Sequence, residues 1–175
     1  MRKIYLLLMH TNTVPSKLVR LFTRFEYSHV AISLEKDCNT IYSFGRKKVN
    51  NILNGGFSVE NKDGEFFSKF KDTKCKIYEI TVTDKQYKDV KNMLMSMKKN
   101  EERYKYDFLG IVPRFFGIPL SFKDKFVCSY FVAYVLEKNN IYTFNKNTKL
   151  ISPKDFEQVN GLGEIYIGKY LEYTV

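Results

Sequence analysis

The chain has no tryptophan, two histidines and three cysteines among its 175 residues. Each scarcity removes options. The cysteines stand at 38, 75 and 128, an odd number at wide spacing, so neither a disulfide framework nor a zinc knuckle is indicated. With only His10 and His29 to add, a metal centre is not expected, and no cofactor motif calls for one. Four prolines and nine glycines leave no linker, repeat or low-complexity stretch. No apolar run approaches the ~20 residues of a membrane-spanning helix. The basic opening Met1-Arg2-Lys3 precedes only a short apolar run, Ile4–Met9, with no small-residue cleavage site after it. A signal peptide is therefore not expected. A reducing, cytoplasmic setting fits this cysteine usage.

Acidic residues are also in deficit, 19 against 29 basic, for a net charge of +10. Nucleic acid is not expected as a partner, because the basic residues are scattered and no recognition motif accompanies them. What the chain has in quantity is aromatic side chains, 15 Phe and 13 Tyr. Its length and 44% hydrophobic content suit a single domain over residues 1–175 with a proper core.

Apolar periodicity gives about six strands. Ile4–Met9 is a continuous apolar run and reads as a central strand. In Ser28-His29-Val30-Ala31-Ile32-Ser33-Leu34-Glu35, Val30, Ile32 and Leu34 alternate with His29, Ala31 and Ser33, a period of two. A turn at Lys36–Asn39 leads back through Thr40–Arg46 as a hairpin. Phe57–Val59, Lys76–Val82 and Glu164–Leu171 complete the set. Helices are expected over Val14–Arg24, Asp63–Phe70, from a cap at Asp84 to Lys99, from Ser152-Pro153 onward, and over Phe126–Lys138. Tyr104–Ile111, followed by Pro113, Gly117 and Pro119, reads as a loop-rich approach to that cysteine-bearing helix. The class is α+β, with a central antiparallel sheet packed against the cysteine helix.

Chemistry concentrates on Cys128. A thiol in the first turn of a helix meets unpaired backbone N–H groups and the positive end of the dipole, both of which favour the thiolate. A nucleophile of this kind needs a proton carrier and donors for the oxyanion. His29 stands above two small residues on the open face of its strand. His10, at the end of the first strand, is the other candidate. Ser43 shares the His29 face if the hairpin pairs residues of like parity, a register the sequence leaves open. Glu35 is a stronger acceptor placed farther along. Asn12, Tyr5 and Tyr106 are candidates for a second oxyanion donor. The plain alternative is that Cys128 is a packing residue, since free cysteine is commonly buried.

Tyr27-Ser28-His29-Val30-Ala31-Ile32, Ile41-Tyr42-Ser43-Phe44-Gly45-Arg46 and Phe126-Val127-Cys128-Ser129-Tyr130-Phe131-Val132 resemble the circularly permuted papain-like NlpC/P60 proteins, in particular the YiiX/YaeF-type amidase group. Tyr104–Asp107 and Ser152–Phe156 add to the likeness. The His hairpin precedes the Cys helix, the order of the permuted branch. The resemblance implies a papain-like fold, Cys128 as nucleophile, His29 as base and Ser43 at the third position, where that group often carries Glu. A serine can accept a bond from imidazole but cannot offset its charge, so water or Glu35 remain alternatives. The implied activity is cysteine hydrolysis of a peptide, amide or lipid-acyl substrate. An acyltransferase or phospholipase on the same fold, or a binding module that kept it, are the other readings.

Overall fold

The computed structural model describes residues 1–11, 20–21, 24–48 and 51–175, with all side chains among these except those of residues 46–48 and 51–53. The expected helix Val14–Arg24 falls largely outside them, as does Asn12.

Eight strands form one sheet: β1 (Arg2–His10), β2 (His29–Ser33), β3 (Thr40–Lys48), β4 (Asn51–Asn61), β5 (Lys74–Val82), β6 (Lys105–Tyr106), β7 (Lys125–Phe126) and β8 (Leu162–Lys169). Their order is β7-β6-β4-β3-β2-β1-β5-β8. β1 lies inside the sheet, and its apolar run is buried on both faces, as a continuous run requires. The sheet is mixed: its central strands pair antiparallel, as expected, and a parallel pair stands at one edge. β6 and β7 pair in parallel, Tyr106 opposite Phe126. Both are two-residue strands, too short to leave a periodic signal.

The helices are α1 (Glu65–Lys69), α2 (Asp84–Lys99), α3 (Phe108–Phe115) and α4 (Cys128–Lys138). Thr83, not Asp84, caps α2, through a reciprocal box with Gln86. The Ser152 start is capped as expected, with Asp155 closing the box, but the turn it opens, Pro153–Gln158, is a 3₁₀ helix. α3 was not expected, because Pro113 and Gly117 read as breakers. The Asp107 side chain accepts from the Gly110 N–H and starts the helix, which ends two residues after Pro113.

The two faces of the sheet carry separate cores. On one, Leu6, Leu8, Val30, Ile32, Phe44 and Phe57 cluster with α2 and α4. On the other, Leu7, Met9, Ala31 and Ile41 meet Phe67 and Tyr170. Aromatic packing is dense beneath α4, where the Phe44 ring centroid lies 5.0 Å from those of both Phe126 and Phe131.

Candidate active site

Cys128 is the first residue of α4. Val127 precedes it in extended conformation, and no side chain caps the helix. The N–H groups of the first turn are therefore left for other partners. Ser129 anchors this end from beside the cysteine: its hydroxyl donates to the Ile151 carbonyl at 2.6 Å. Cys128 is itself buried, at 5% exposure.

Burial raises the Cys128 thiol above its ordinary pKa and outweighs the opposing influences. Those are the backbone N–H groups of Val30, Ser129 and Cys128, and the Arg114 guanidinium, each of which favours the thiolate. The group at rest is thus a thiol, set among donors that would stabilise negative charge on or beside it. Val30 immediately follows His29, so the N-terminus of α4 meets β2 at the histidine end.

Tyr106 belongs to the same neighbourhood. Burial raises its phenol strongly, and the proximity of Cys128 adds to the rise. The parallel β6–β7 pair brings it there, because Tyr106 stands opposite Phe126, two residues before the cysteine. The Asp107 N–H continues the pairing by donating to the Phe126 carbonyl at 2.9 Å. Gly55 makes room on β4: a Cβ there would lie 2.7 Å from the Tyr106 Cβ. Of the three candidate oxyanion donors, Tyr106 is the one the structure brings near the thiol. Tyr5 lies in the second core and interacts with Glu79 and Lys3. Asn12 lies outside the described residues.

Arg114 and Asp107 form a buried ion pair at 2.8 Å, with side chains 8% and 0% exposed. Arg114 Nε also donates to the Lys149 carbonyl at 2.8 Å, and its Nη1 is buried without a hydrogen-bond partner. Neither residue is a site candidate by sequence, although Asp107 ends the Tyr104–Asp107 stretch. The signal was present as Asp107-x-x-Gly110-x-x-x-Arg114, a cap and a cation one helical turn apart from a glycine. A Cβ on Gly110 would sit 2.2 Å from Asp107 Oδ2 and 2.9 Å from Arg114 Nη1, so the pair occupies the space a larger residue would need.

His29 opens β2, opposite Met9. Burial lowers its pKa to about 4, so the ring is neutral near pH 7 and can accept a proton. The hairpin does pair residues of like parity, Ile32 with Tyr42, so His29 and Ser43 share a face. They border the space above Gly45: a Cβ there would meet His29 Cε1 at 3.6 Å, Ser58 Oγ at 3.9 Å and Ser43 Oγ at 4.0 Å. The Ser43 hydroxyl is bonded to Ser58 at 3.1 Å, a partner the sequence did not suggest. This His29–Ser43–Ser58 face has the parity of Ala31 and Ile41, whereas Val30 and Ile32 pack toward α4. Cys128 thus meets β2 through the Val30 backbone. Among the hydrogen bonds of the described residues, none joins the His29 ring to the Cys128 thiol or the Ser43 hydroxyl.

The remaining candidates lie elsewhere. His10 is engaged with Arg20 and, at 3.9 Å, with Glu26. Glu35 is exposed in the turn after β2. Cys38 and Cys75 are buried in the second core, where burial pushes both thiols up to about 12. Among the described residues, no group of three or more His, Cys, Asp or Glu side chains is arranged to hold a metal ion.

No protein-family model matches the chain, and no curated protein matches its sequence.

Proposed function

We propose that the protein is a papain-like thiol hydrolase acting on an amide or ester carbonyl. The observation that supports this reading most is the setting of Cys128: an uncapped helix start, three backbone N–H groups, Arg114 and Tyr106 around one thiol. In this reaction Sγ attacks the carbonyl carbon as its proton passes to neutral His29. The oxyanion takes hydrogen bonds from the first-turn N–H of α4 and from the Tyr106 hydroxyl. His29 then returns the proton to the departing amine or alcohol, leaving a thioester on Cys128. Water, deprotonated by His29, hydrolyses the thioester and restores the thiol. The mechanism requires the His29 ring, which has the parity of the sheet face turned away from α4, to swing around the start of β2 and come within hydrogen-bond reach of the thiol when substrate binds. Ser43 and Ser58 would border the ring without supplying charge.

A second reading is a binding module with the same architecture. The Ser43–Ser58 bond favours it, because the hydroxyl at the third position is already committed away from the histidine. Stopped-flow hydrolysis of activated esters separates the two. The enzyme reading expects a burst of leaving group equal to the protein concentration, a thioester adduct on Cys128 by mass spectrometry, and loss of both in Cys128→Ala and of turnover in His29→Ala. Absence of turnover and of any adduct would leave the binding module, and turnover unchanged in Cys128→Ala would end the assignment of Cys128 as nucleophile.

A further inference from the structure

α3 turns part of its apolar surface outward. Gly110 is its only buried residue, and the side chains it anchors inward are the ion-paired Asp107 and Arg114. Phe108, Ile111 and Phe115 are half-buried, but other apolar residues face solvent: Leu109 is 70% exposed, Val112 51% and Phe116, at the helix's C-cap, 74%. Positions 109, 112 and 116 share one helical face. The chain then turns at Gly117, with φ of 73°, and presents Ile118, Leu120 and Phe122, each at least 40% exposed. Half of the protein's exposed large apolar side chains among the described residues therefore fall within one helix and the loop behind it. A soluble surface rarely concentrates apolar groups in this way without a partner.

We propose that α3 and the loop through Phe122 dock the protein onto an anionic membrane surface, lying in its interface. The charge around the patch selects this occupant. No acidic residue occurs between Asp107 and Asp124, while Lys123 is exposed and the Lys125 ammonium stands 5.0 Å from the Phe122 ring centroid. The acidic groups that flank the patch are already paired: Asp107 with Arg114, Asp124 with Arg103 at 2.9 Å, and Glu102 with Lys105 at 3.8 Å. The whole chain adds a net charge of +10. Large apolar side chains backed by lysines are what an anionic headgroup layer over hydrocarbon accommodates. No helix among the described residues is long and apolar enough to cross a membrane, so the contact is interfacial. The docking does not depend on the catalytic reading.

The absence of tryptophan gives a clean reporter. Phe116→Trp should show a blue-shifted emission on mixing with phosphatidylserine-containing vesicles and none with pure phosphatidylcholine. In co-sedimentation, binding to the anionic vesicles should fall with added salt. Phe116→Asp with Leu120→Asp should weaken it by about tenfold or more, and Lys123→Glu less. These positions are exposed, and circular dichroism would verify that the variants fold. Cys128→Ala should bind vesicles like the wild type, so loss of activity and loss of docking are read separately. Failure to bind anionic vesicles, or equal binding by the double variant, would overturn the proposal. So would a concentration-dependent dimer that the same substitutions abolish, since the patch would then be a self-association face.

Discussion

Three thiols of the same intrinsic chemistry sit in three different environments, and their reactivities should diverge accordingly. Cys38 and Cys75 are enclosed by apolar side chains that hold them near 12. Cys128 is also raised by burial, but three backbone N–H groups and a guanidinium pull the other way, where Cys38 has only Ser33 and Lys62 and Cys75 only Lys62. Iodoacetamide at pH 7 should therefore modify Cys128 first in the folded protein, as peptide mapping would show, and His29→Ala should slow that reaction. Equal labelling of all three would mean unfolding preceded modification; an inert Cys128 would end the nucleophile assignment. At this scale the sequence was informative about the cysteine and the histidine. Each announces itself by local context, a helix start and an alternating strand. Ser58 was not legible, because its role rests on standing opposite Ser43, a relation between strands.

At the scale of elements, α3 carries more than its length suggests. Eight residues with their caps, Asp107 and Phe116, hold the Asp107–Arg114 pair, the approach to Cys128 and an exposed apolar face. The pair is buried, so breaking it from one side strands a charge. Asp107→Ala should cost about 3–5 kcal/mol of stability by urea unfolding. Asp107→Ala combined with Arg114→Met should recover part of that loss, because neither charge is left unpaired in the interior. If the double variant is no more stable than the single, the helix cap supplied by Asp107 is the dominant contribution. The sequence concealed α3 because a proline and two glycines lie within and just after its eight residues. The strands β2 and β3 were legible for the opposite reason: alternation and turn chemistry agreed over the whole hairpin.

For the molecule as a whole, two partly buried groups should make stability depend on pH in opposite directions. His29 has a pKa of about 4 in the folded protein against 6.5 ordinarily. The unfolded chain binds more protons in that window, so this contribution is complete above pH 6.5 and is lost as pH falls toward 4, by up to about 3 kcal/mol. Burial, reinforced by Glu65, lifts Glu60 to about 7 from 4.5. Here the folded protein holds the extra proton, so stability is complete below pH 4.5 and declines as pH rises toward 7, by up to about 3 kcal/mol. The two should largely offset in the wild type. His29→Gln should unmask a falling stability between pH 5 and 7, and Glu60→Gln a rising one, in denaturant titrations at fixed ionic strength. A flat profile in both variants would mean that neither group is shielded from water as its position implies.

The amino-acid pattern alone determined the α+β class, the six longer strands, the helix behind Cys128 and the choice of Cys128 and His29 as candidate residues. Those features follow from periods of two and 3.6 and from the chemistry of single side chains, which act over a few neighbouring positions. Only the tertiary structure decided the rest. It set the parallel β6–β7 pair that brings Tyr106 near the thiol, the burial that raises Cys128 and lowers His29, and the meeting of α4 with β2 at the Val30 backbone. It also turned Leu109 and Val112 of α3 outward. Such relations join residues distant in sequence, and their energies come from desolvation and cross-strand packing, which no local pattern records.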